Sequence, residues 1–156
     1  MGVSGAGKTT IAKALAMALG WEFVEGDDFH PADNIDKMKK NIALEDADRW
    51  PWLSLLNQHI LRCQKSKKSI VVSCSALKKS YRQALMKDIN SIEFAYLCGD
   101  PELIMQRISS RKNHFMKPGL LESQLQTLEV PEDALIVPID LSIGDQVNFI
   151  RQHFNL

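Results

Sequence analysis

The feature that most constrains the fold is a short glycine-rich stretch followed at once by a helical pattern. Residues 2–9 read Gly-Val-Ser-Gly-Ala-Gly-Lys-Thr and match the spacing G-x-x-x-x-G-K-[ST] at every fixed position. Glycines let the backbone turn tightly enough for successive N–H groups to converge, and the helix beginning near Lys8 adds the positive end of its dipole. This pattern predicts binding of ATP or GTP; a glycine-rich turn that only caps a helix is the alternative.

Individual residues of this phosphate loop have predicted roles. Lys8 would reach the terminal phosphates as a point charge, and the Thr9 hydroxyl would complete the shell of a Mg²⁺ ion. The predicted nucleotide-binding residues are Gly2, Val3, Ser4, Gly5, Ala6, Gly7, Lys8, Thr9 and Thr10.

The rest of the chain alternates between helical and strand-like stretches, which indicates an α/β fold with a parallel sheet wound by right-handed crossovers. The predicted helices cover residues 8–19, 49–62, 78–87, 100–111 and 146–154, and the predicted strands cover 21–25, 69–74, 92–97 and 135–139. Because the 156 residues contain no repeat and no linker, we expect one domain over residues 1–156.

The position of the loop in the chain is unusual. In phosphate-loop proteins a buried strand leads into the loop, whereas here the loop opens the sequence. Four buried apolar side chains of a central strand would contribute about 6–12 kcal/mol, compared with a total domain stability of about 5–15 kcal/mol. We therefore expect that the first strand is missing because Met1 is internal to a slightly longer chain, or that another segment fills the gap.

Charge and hydropathy argue against several classes of partner. Lys and Arg together number 19, as do Asp and Glu, so the formal net charge is zero. This argues against duplex nucleic acid or an anionic membrane surface as a partner. No apolar run approaches the ~20 residues that span a bilayer, and the start has no secretory pattern. We expect a cytoplasmic protein.

Two adjacent acids, Asp27 and Asp28, follow the predicted strand at residues 21–25. A carboxylate at the carboxyl end of a parallel strand, beside a phosphate loop, can accept the proton of an attacking hydroxyl. The apolar strand at residues 69–74 lacks the acid that motor-type and switch ATPases carry at its end. The pattern favours phosphoryl transfer to a small alcohol with Asp27 as the base. Alternatively, Asp27 only caps the turn at Pro31.

Several segments, in order along the chain from Gly2 to about Pro131, resemble the gluconokinase family. The matching positions are residues 26–31 (GDDFHP), Asn34, Lys37, Met38, 46–49 (DADR), 51–53 (PWL), 74–79 (CSALKK), Tyr81, Arg82, 99–100, 114–116 (HFM), 120–121, 123–124 and 127–129. The chain departs from the family at Asn41 and Ala43, where Gly and Pro are usual, and in the missing first strand.

The resemblance implies ATP-dependent phosphorylation of D-gluconate on its terminal 6-hydroxyl. It also implies a three-layer α/β fold similar to that of the nucleoside monophosphate kinases, and usually a homodimer. Two other interpretations stay open: a phosphate-loop kinase for another small acceptor, such as shikimate or a nucleotide, and an ATP-binding module without catalytic activity.

Gluconate carries one carboxylate and a row of hydroxyls, so its pocket needs a cation and several polar groups. The candidates from the matching motifs are Asp27, His30, Arg49, Lys78, Arg82, His114 and Gln124. Arg49 or Lys78 would neutralise the carboxylate. Alternatively, Arg49 forms a surface ion pair and Lys78 lies on a solvated helix face.

A lid is expected over residues 107–131. Arg107 and Arg111 lie four apart on one predicted helix face, just before a polar loop at residues 112–119. In the kinases that the chain resembles, this region closes over ATP. The two guanidinium groups would then stabilise the charge on the transferring phosphate. The predicted catalytic residues are therefore Lys8, Asp27, Arg107 and Arg111. The alternative is a basic last turn that complements the helix dipole.

Overall fold

The structure is a computed structural model, and it describes residues 1–110 and 118–156. Within those ranges the helices are α1 (Lys8–Leu19), α2 (Ala32–Lys39), α3 (Asp46–Lys65), α4 (Lys79–Met86), α5 (Pro101–Ser109), α6 (Pro118–Thr127) and α7 (Ile143–Phe154). The strands are β1 (Glu22–Glu25), β2 (Ile70–Ser73), β3 (Ala95–Cys98) and β4 (Leu135–Pro138), and a single 3-10 turn, Gly26–Phe29, follows β1. None of the described helices is both long enough and apolar enough to cross a bilayer.

The strand pairing confirms the predicted parallel α/β fold. β1 pairs with β2, and β3 pairs with β4, both in parallel. Successive strand residues point to opposite faces of a sheet. In β2, Ile70 and Val72 pack into a cluster with α3 and α4, whereas Val71 packs against a second cluster that includes α1 and α7. Helices therefore cover both faces, which gives three layers.

The start of the chain lies between β2 and β3, which do not pair with each other in the described structure. The Met1 amine donates to the Ala95 carbonyl, and the Leu97 amide donates to the Met1 carbonyl at 3.0 Å. The Gly2 amide donates to the Ser75 carbonyl at 3.1 Å. This is the hydrogen-bond pattern of a parallel strand, limited to two residues.

A cavity of about 690 Å³ continues the gap between β2 and β3. Its lining is mainly apolar and comes from α1, α3, α4, β2, β3 and α7 and from the segment between α4 and β3. Met1 and Gly2 thus take part of the place expected for the first strand, and the cavity takes the remainder.

Element boundaries differ from the sequence prediction in a few places. α3 begins at Asp46, three residues before the predicted start, because the Asp48 carboxylate accepts from the Glu45 amide at 2.9 Å and caps the helix. Pro51 therefore lies in the second turn rather than the first. β3 covers Ala95–Cys98 instead of residues 92–97.

Candidate active site

Residues 2–7 form a tight loop ahead of α1. Gly5 and Gly7 have φ values of 84° and 97°, in the left-handed region that glycine adopts without strain. A Cβ at Gly5 would lie only 2.7 Å from Cγ1 of Ile108, so this position also requires the absence of a side chain. Gly7 is the N-cap of α1, and the first N–H groups of that helix have no partner within it. The loop thus makes the tight, glycine-dependent turn that the motif predicts.

Two side-chain contacts arrange the loop and the first turn of α1. The Lys8 ammonium donates to the Val3 carbonyl at 3.0 Å and so curls back over the loop. The Thr9 hydroxyl donates to a carboxylate oxygen of Glu25 at 2.7 Å. Because β1 ends at Glu25, this bond ties the start of α1 to the carboxyl edge of the sheet.

A cavity of about 50 Å³ lies beside this loop and brings together four of the seven predicted acceptor-binding residues, namely Asp27, His30, Arg49 and Gln124. Its walls come from the loop, the 3-10 turn, α3, α6 and the segments after α2 and β2. Its polar lining consists of Ser4, Lys8, Asp27, His30, Arg49, Ser75, Ser123 and Gln124. This position, outside the carboxyl ends of parallel strands, is the usual ligand site of an open α/β sheet.

Asp27 and His30 lie side by side at this cavity. The Asp27 side chain is 53% exposed, and its Oδ1 is 3.9 Å from Nε2 of His30. The buried His30 ring stacks on Trp52 with ring centres 4.1 Å apart. Burial, with the Arg49 charge as the smaller cause, lowers the pKa of His30 to about 4. His30 is therefore neutral at neutral pH.

Arg49 is a buried cation of this cavity, with only 7% of its surface exposed. One guanidinium N–H group donates to the Leu44 carbonyl at 3.1 Å, and the guanidinium carbon lies 5.5 Å from the centre of the Tyr81 ring. Within the described part of the chain, Nε of Arg49 has no hydrogen-bond partner. A buried donor without an acceptor is costly, so Arg49 is suited to an incoming anionic oxygen.

Lys78 is engaged elsewhere and does not line the cavity. Its ammonium donates to both carboxylate oxygens of Asp46, at 2.7 and 2.9 Å. The Tyr81 hydroxyl also donates to Asp46. These bonds, that of Lys78 first, lower the pKa of the Asp46 carboxyl, which therefore stays ionised as the partner of Lys78.

Two further predicted arginines, Arg82 and Arg107, donate to backbone carbonyls and do not line the cavity. Arg107 donates to the Ile139 carbonyl at 2.9 Å. Arg82 is buried and donates to three carbonyls, those of Ala76, Leu77 and Glu129. Arg111 and His114 lie outside the residues that the structure describes.

Gln124 reaches the phosphate loop from α6. Its Oε1 accepts a hydrogen bond from the Ser4 amide at 2.7 Å. The Ser4 amide of the loop is therefore already hydrogen-bonded to a side-chain oxygen, and α6 lies against this side of the cavity.

The sequence motifs do not assign roles to Glu25 or Asn34. Glu25 holds the Thr9 hydroxyl, and the buried Asn34 lies within hydrogen-bond distance of His30. Asn34 lies within the family-like segments, but its partners are known only from the structure. For Glu25, the only indication in the sequence is that it is the last residue of a predicted strand, at the edge where the phosphate loop is expected.

The residues near the loop fit a magnesium ion that arrives with a nucleotide. Among the described residues, no group of three or more His, Cys, Asp or Glu side chains is arranged to hold a metal. The Thr9 hydroxyl and the Glu25 carboxylate supply hard oxygen atoms, the ligands that Mg²⁺ prefers. Because Mg²⁺ usually takes only one or two protein ligands and fills its shell with phosphates and water, this donor set is sufficient.

Comparison with known proteins assigns the chain to a family. A family model described as shikimate kinase matches residues 4–136. A gluconokinase from Gluconobacter oxydans is 48% identical over 133 residues, which cover 85% of this chain and 75% of that protein. The chain belongs to the shikimate kinase-like family and, within it, to the gluconokinases. This confirms the family indicated by the sequence motifs.

Solved structures of similar proteins support the same assignment. A sugar kinase from Janibacter sp. HTCC2649, in an unliganded crystal structure, is 39% identical, covers 99% of this chain and 91% of its own, and gives a TM-score of 0.94. A gluconokinase from Sinorhizobium meliloti 1021 is 38% identical with the same coverage and a TM-score of 0.86. The gluconokinase fold therefore extends over nearly all of the chain.

Proposed function

We propose that this chain catalyses the ATP-dependent phosphorylation of D-gluconate to 6-phospho-D-gluconate. One observation carries the proposal: Lys8, Asp27 and Arg49 line the same cavity at the phosphate loop. An acceptor with a carboxylate at one end and an alcohol at the other needs a cation, a base and a phosphate site together. Gluconokinase relatives at 45–48% identity support this activity.

The phosphate loop would hold the nucleotide. Its amides and the N-terminal end of α1 suit the phosphate oxygens, and Lys8 would exchange the Val3 carbonyl for the terminal phosphates. Thr9, with Glu25 beside it, would hold a Mg²⁺ ion bound to the nucleotide. That ion, when bound, offsets the charge that develops on the transferred group.

Arg49 would bind the carboxylate of the acceptor. It is buried at the cavity and has an unpartnered N–H group, whereas Lys78 already binds both oxygens of Asp46. The sequence left the two cations equivalent, and their partners favour Arg49. His30 and Gln124 supply further polar groups for the hydroxyls.

The transfer itself would use Asp27 as the base. As the 6-hydroxyl oxygen attacks the γ-phosphorus, its proton moves to the Asp27 carboxylate. The new oxygen–phosphorus bond forms, and the bond between the γ-phosphorus and the bridging oxygen breaks to release ADP. Lys8 would stabilise the charge on the transferred group. Arg107 and Arg111 stay predicted lid groups, and Arg107 would first have to leave the Ile139 carbonyl.

Binding would require the site to open. A cavity of about 50 Å³ has room for a few water molecules but not for a six-carbon acid. The Gln124–Ser4 bond spans the edge of the cavity, so we expect α6 to withdraw when substrates enter and to return over them. Return of α6 would exclude water and limit ATP hydrolysis, as expected for the predicted lid at residues 107–131.

The test is phosphoryl transfer by the purified chain with ATP and Mg²⁺, using D-gluconate, shikimate and D-glucose as separate acceptors. Phosphorus NMR identifies the product, and ADP release gives the rate. We expect transfer to gluconate only. Transfer to shikimate, the second candidate because of the family-model match, would replace gluconate as the acceptor. ATP binding without transfer to any acceptor would instead indicate a module without catalytic activity.

The remaining expectations need their own measurements. A homodimer is proposed from the family resemblance, and light scattering on the purified chain would measure its mass. A cytoplasmic location is proposed as well, and fractionation of the source cells would test it.

A further inference from the structure

The orientation of the Asn34 side chain is fixed by its surroundings. Asn34 is on α2 and only 3% exposed. Its amide nitrogen lies 2.8 Å from the Asp48 carbonyl and 3.2 Å from Nδ1 of His30. A carbonyl oxygen can only accept, so the amide nitrogen rather than the amide oxygen must face Asp48. The second N–H group of the same nitrogen then points to Nδ1 of His30.

This orientation determines where His30 carries its proton. A neutral imidazole has one donor nitrogen and one acceptor nitrogen. Because Nδ1 accepts from Asn34, the proton is on Nε2. Stacking on Trp52 holds the ring plane, and the Trp52 indole N–H donates to the Gly26 carbonyl at 2.7 Å, which fixes Trp52 in turn.

Nε2 of His30 and Oδ1 of Asp27 are a donor and an acceptor next to each other. Their separation of 3.9 Å is too long for a hydrogen bond and too short for a water molecule to lie in line between them. Both residues line the small cavity at the phosphate loop. Two neighbouring hydroxyls of one ligand match this pair, because one hydroxyl can donate to Asp27 while the other accepts from His30.

We infer that Asn34 is a positioning residue that holds His30 in its Nε2–H form, so that His30 and Asp27 together bind two adjacent hydroxyls of the acceptor. The inference rests on the proposed function. Asp27 takes the hydroxyl that is phosphorylated, and His30 donates to the oxygen on the next carbon, which is the 5-hydroxyl of gluconate. Acceptors that lack this oxygen leave the buried N–H group unpaired and bind more weakly.

The charged groups around His30 agree with a neutral donor. Arg49 and Lys8, both positive, line the same cavity, and Asp27 is the negative group beside Nε2. A second positive charge on His30 would be repelled by Arg49. His30 therefore acts through its N–H group rather than through a charge.

Nitrogen NMR of the histidine rings tests the tautomer directly and without substrate. The chain has four histidines, and the signal lost in His30→Gln identifies His30. We expect the neutral Nε2–H pattern at neutral pH. A proton on Nδ1, or a charged ring, would overturn the inference.

Kinetics test the contact with the acceptor. His30→Phe keeps a ring that can stack on Trp52 but removes the donor, whereas His30→Gln keeps an N–H group near the position of Nε2. We expect His30→Phe to raise the KM for gluconate by about tenfold or more while the KM for ATP stays unchanged. His30→Gln should recover much of this loss. With 5-deoxy-D-gluconate, wild type and His30→Phe should have similar KM values; an equal rise for both acceptors contradicts the contact.

Asn34→Asp tests the positioning role, with Asn57→Asp as its matched control. An aspartate would accept from Nδ1–H and so draw the proton away from Nε2, or keep the ring charged. We expect a higher KM for gluconate and a new ionisation near neutral pH in the kcat/KM profile. Asn57 is also buried and donates to two carbonyls, those of Leu85 and Lys87, but it lies outside the cavity. The same kinetic change in Asn57→Asp would mean that Asn34 has only a structural role.

These measurements separate the inference from the proposed function. A chain that phosphorylates gluconate but carries the His30 proton on Nδ1 overturns the inference alone. A chain with the Nε2–H form that phosphorylates no sugar acid overturns the proposed function and the hydroxyl contact, while the role of Asn34 toward His30 stands.

Discussion

At the scale of single residues, two adjacent acids offer a direct test of the proposed base. Asp27 lines the cavity, whereas Asp28 is exposed and does not line it. Asp27→Asn should lower kcat by roughly 10²–10⁴ because the amide cannot take the proton of the attacking hydroxyl. ATP binding should stay nearly intact, since Asp27 is not part of the phosphate loop. Steady-state kinetics with an ATP titration give both values.

Asp28→Asn is the matched control and should keep near-normal turnover. An equal loss of turnover in Asp28→Asn would remove Asp27 from this role.

The buried His30 makes the stability of the protein depend on pH. Its folded-state pKa is about 4, compared with 6.5 for the unfolded side chain. Between these two pKa values the unfolded state binds more protons than the folded state, so the free energy of unfolding rises with pH. The contribution of His30 is therefore present above about pH 6.5 and is lost as the pH falls toward 4. The full contribution is about 3 kcal/mol.

Urea unfolding between about pH 4 and pH 7 measures this contribution. His30→Gln should have a flatter profile than wild type. The Met1 amine, with its pKa lowered to about 5 by burial, adds a slope common to both proteins. Superimposable profiles for His30→Gln and wild type would contradict the assignment.

The residue types at the site were predictable, but not all of their partners were. Lys8, Asp27, His30, Arg49 and Gln124 line one cavity, as the motifs suggested. Arg49 and Lys78 could not be distinguished in the sequence, because the partner of Lys78, Asp46, is 32 positions away along the chain. Which cation stays available is therefore a property of the tertiary structure.

At the scale of elements, prediction succeeded where a strong local pattern existed. α1 was predicted to the residue, because its Ala- and Leu-rich stretch ends at Gly20, which adopts the left-handed conformation. α2 gave no such pattern, since only Asn34 and Met38 of its residues are buried. The early start of α3 depends on the Asp48 cap, which is not the usual Ser or Thr signal.

The cavity between β2 and β3 predicts a stabilising extension. A segment of about five β-branched apolar residues fused ahead of Met1 could run parallel to both strands. The amide formed at Met1 would keep the bond to the Ala95 carbonyl without burying an amine. After subtracting the conformational entropy of ordering the segment, burial of its side chains should raise the free energy of unfolding by a few kcal/mol.

Denaturant unfolding of the fused protein tests this expectation. The matched control is a fusion of equal length with Ser and Asp in place of the apolar residues, which cannot enter an apolar cavity without burying unpaired polar groups. Only the apolar extension should stabilise the protein and protect the β2 and β3 amides from hydrogen exchange. Equal stabilities for the two fusions would show that the extension does not occupy the cavity.

At the scale of the whole molecule, the site lies where three separate parts meet. The phosphate loop begins beside the sheet, Arg49 belongs to the helical layer of α3, and Gln124 reaches in from α6. Because the cavity measures only about 50 Å³, we expect substrate binding to move these parts relative to one another. Ligand binding should therefore be measurable as a change in the stability of the folded chain.

Nucleotide binding links the loop to global stability. A ligand that binds only the folded state stabilises it by about 2.7 kcal/mol at one hundred times its Kd. ATP with Mg²⁺ should raise the unfolding midpoint of wild type. Lys8→Ala should lose most of this shift because the phosphates no longer have the positive charge of Lys8 beside them.

The matched control is Lys13→Ala, because Lys13 is an exposed lysine of the same helix near the Phe23 ring. This variant should respond to ATP as wild type does. A full ATP shift in Lys8→Ala would mean that the nucleotide binds away from this loop, and Asp27 would then have no phosphate beside it to receive the gluconate hydroxyl.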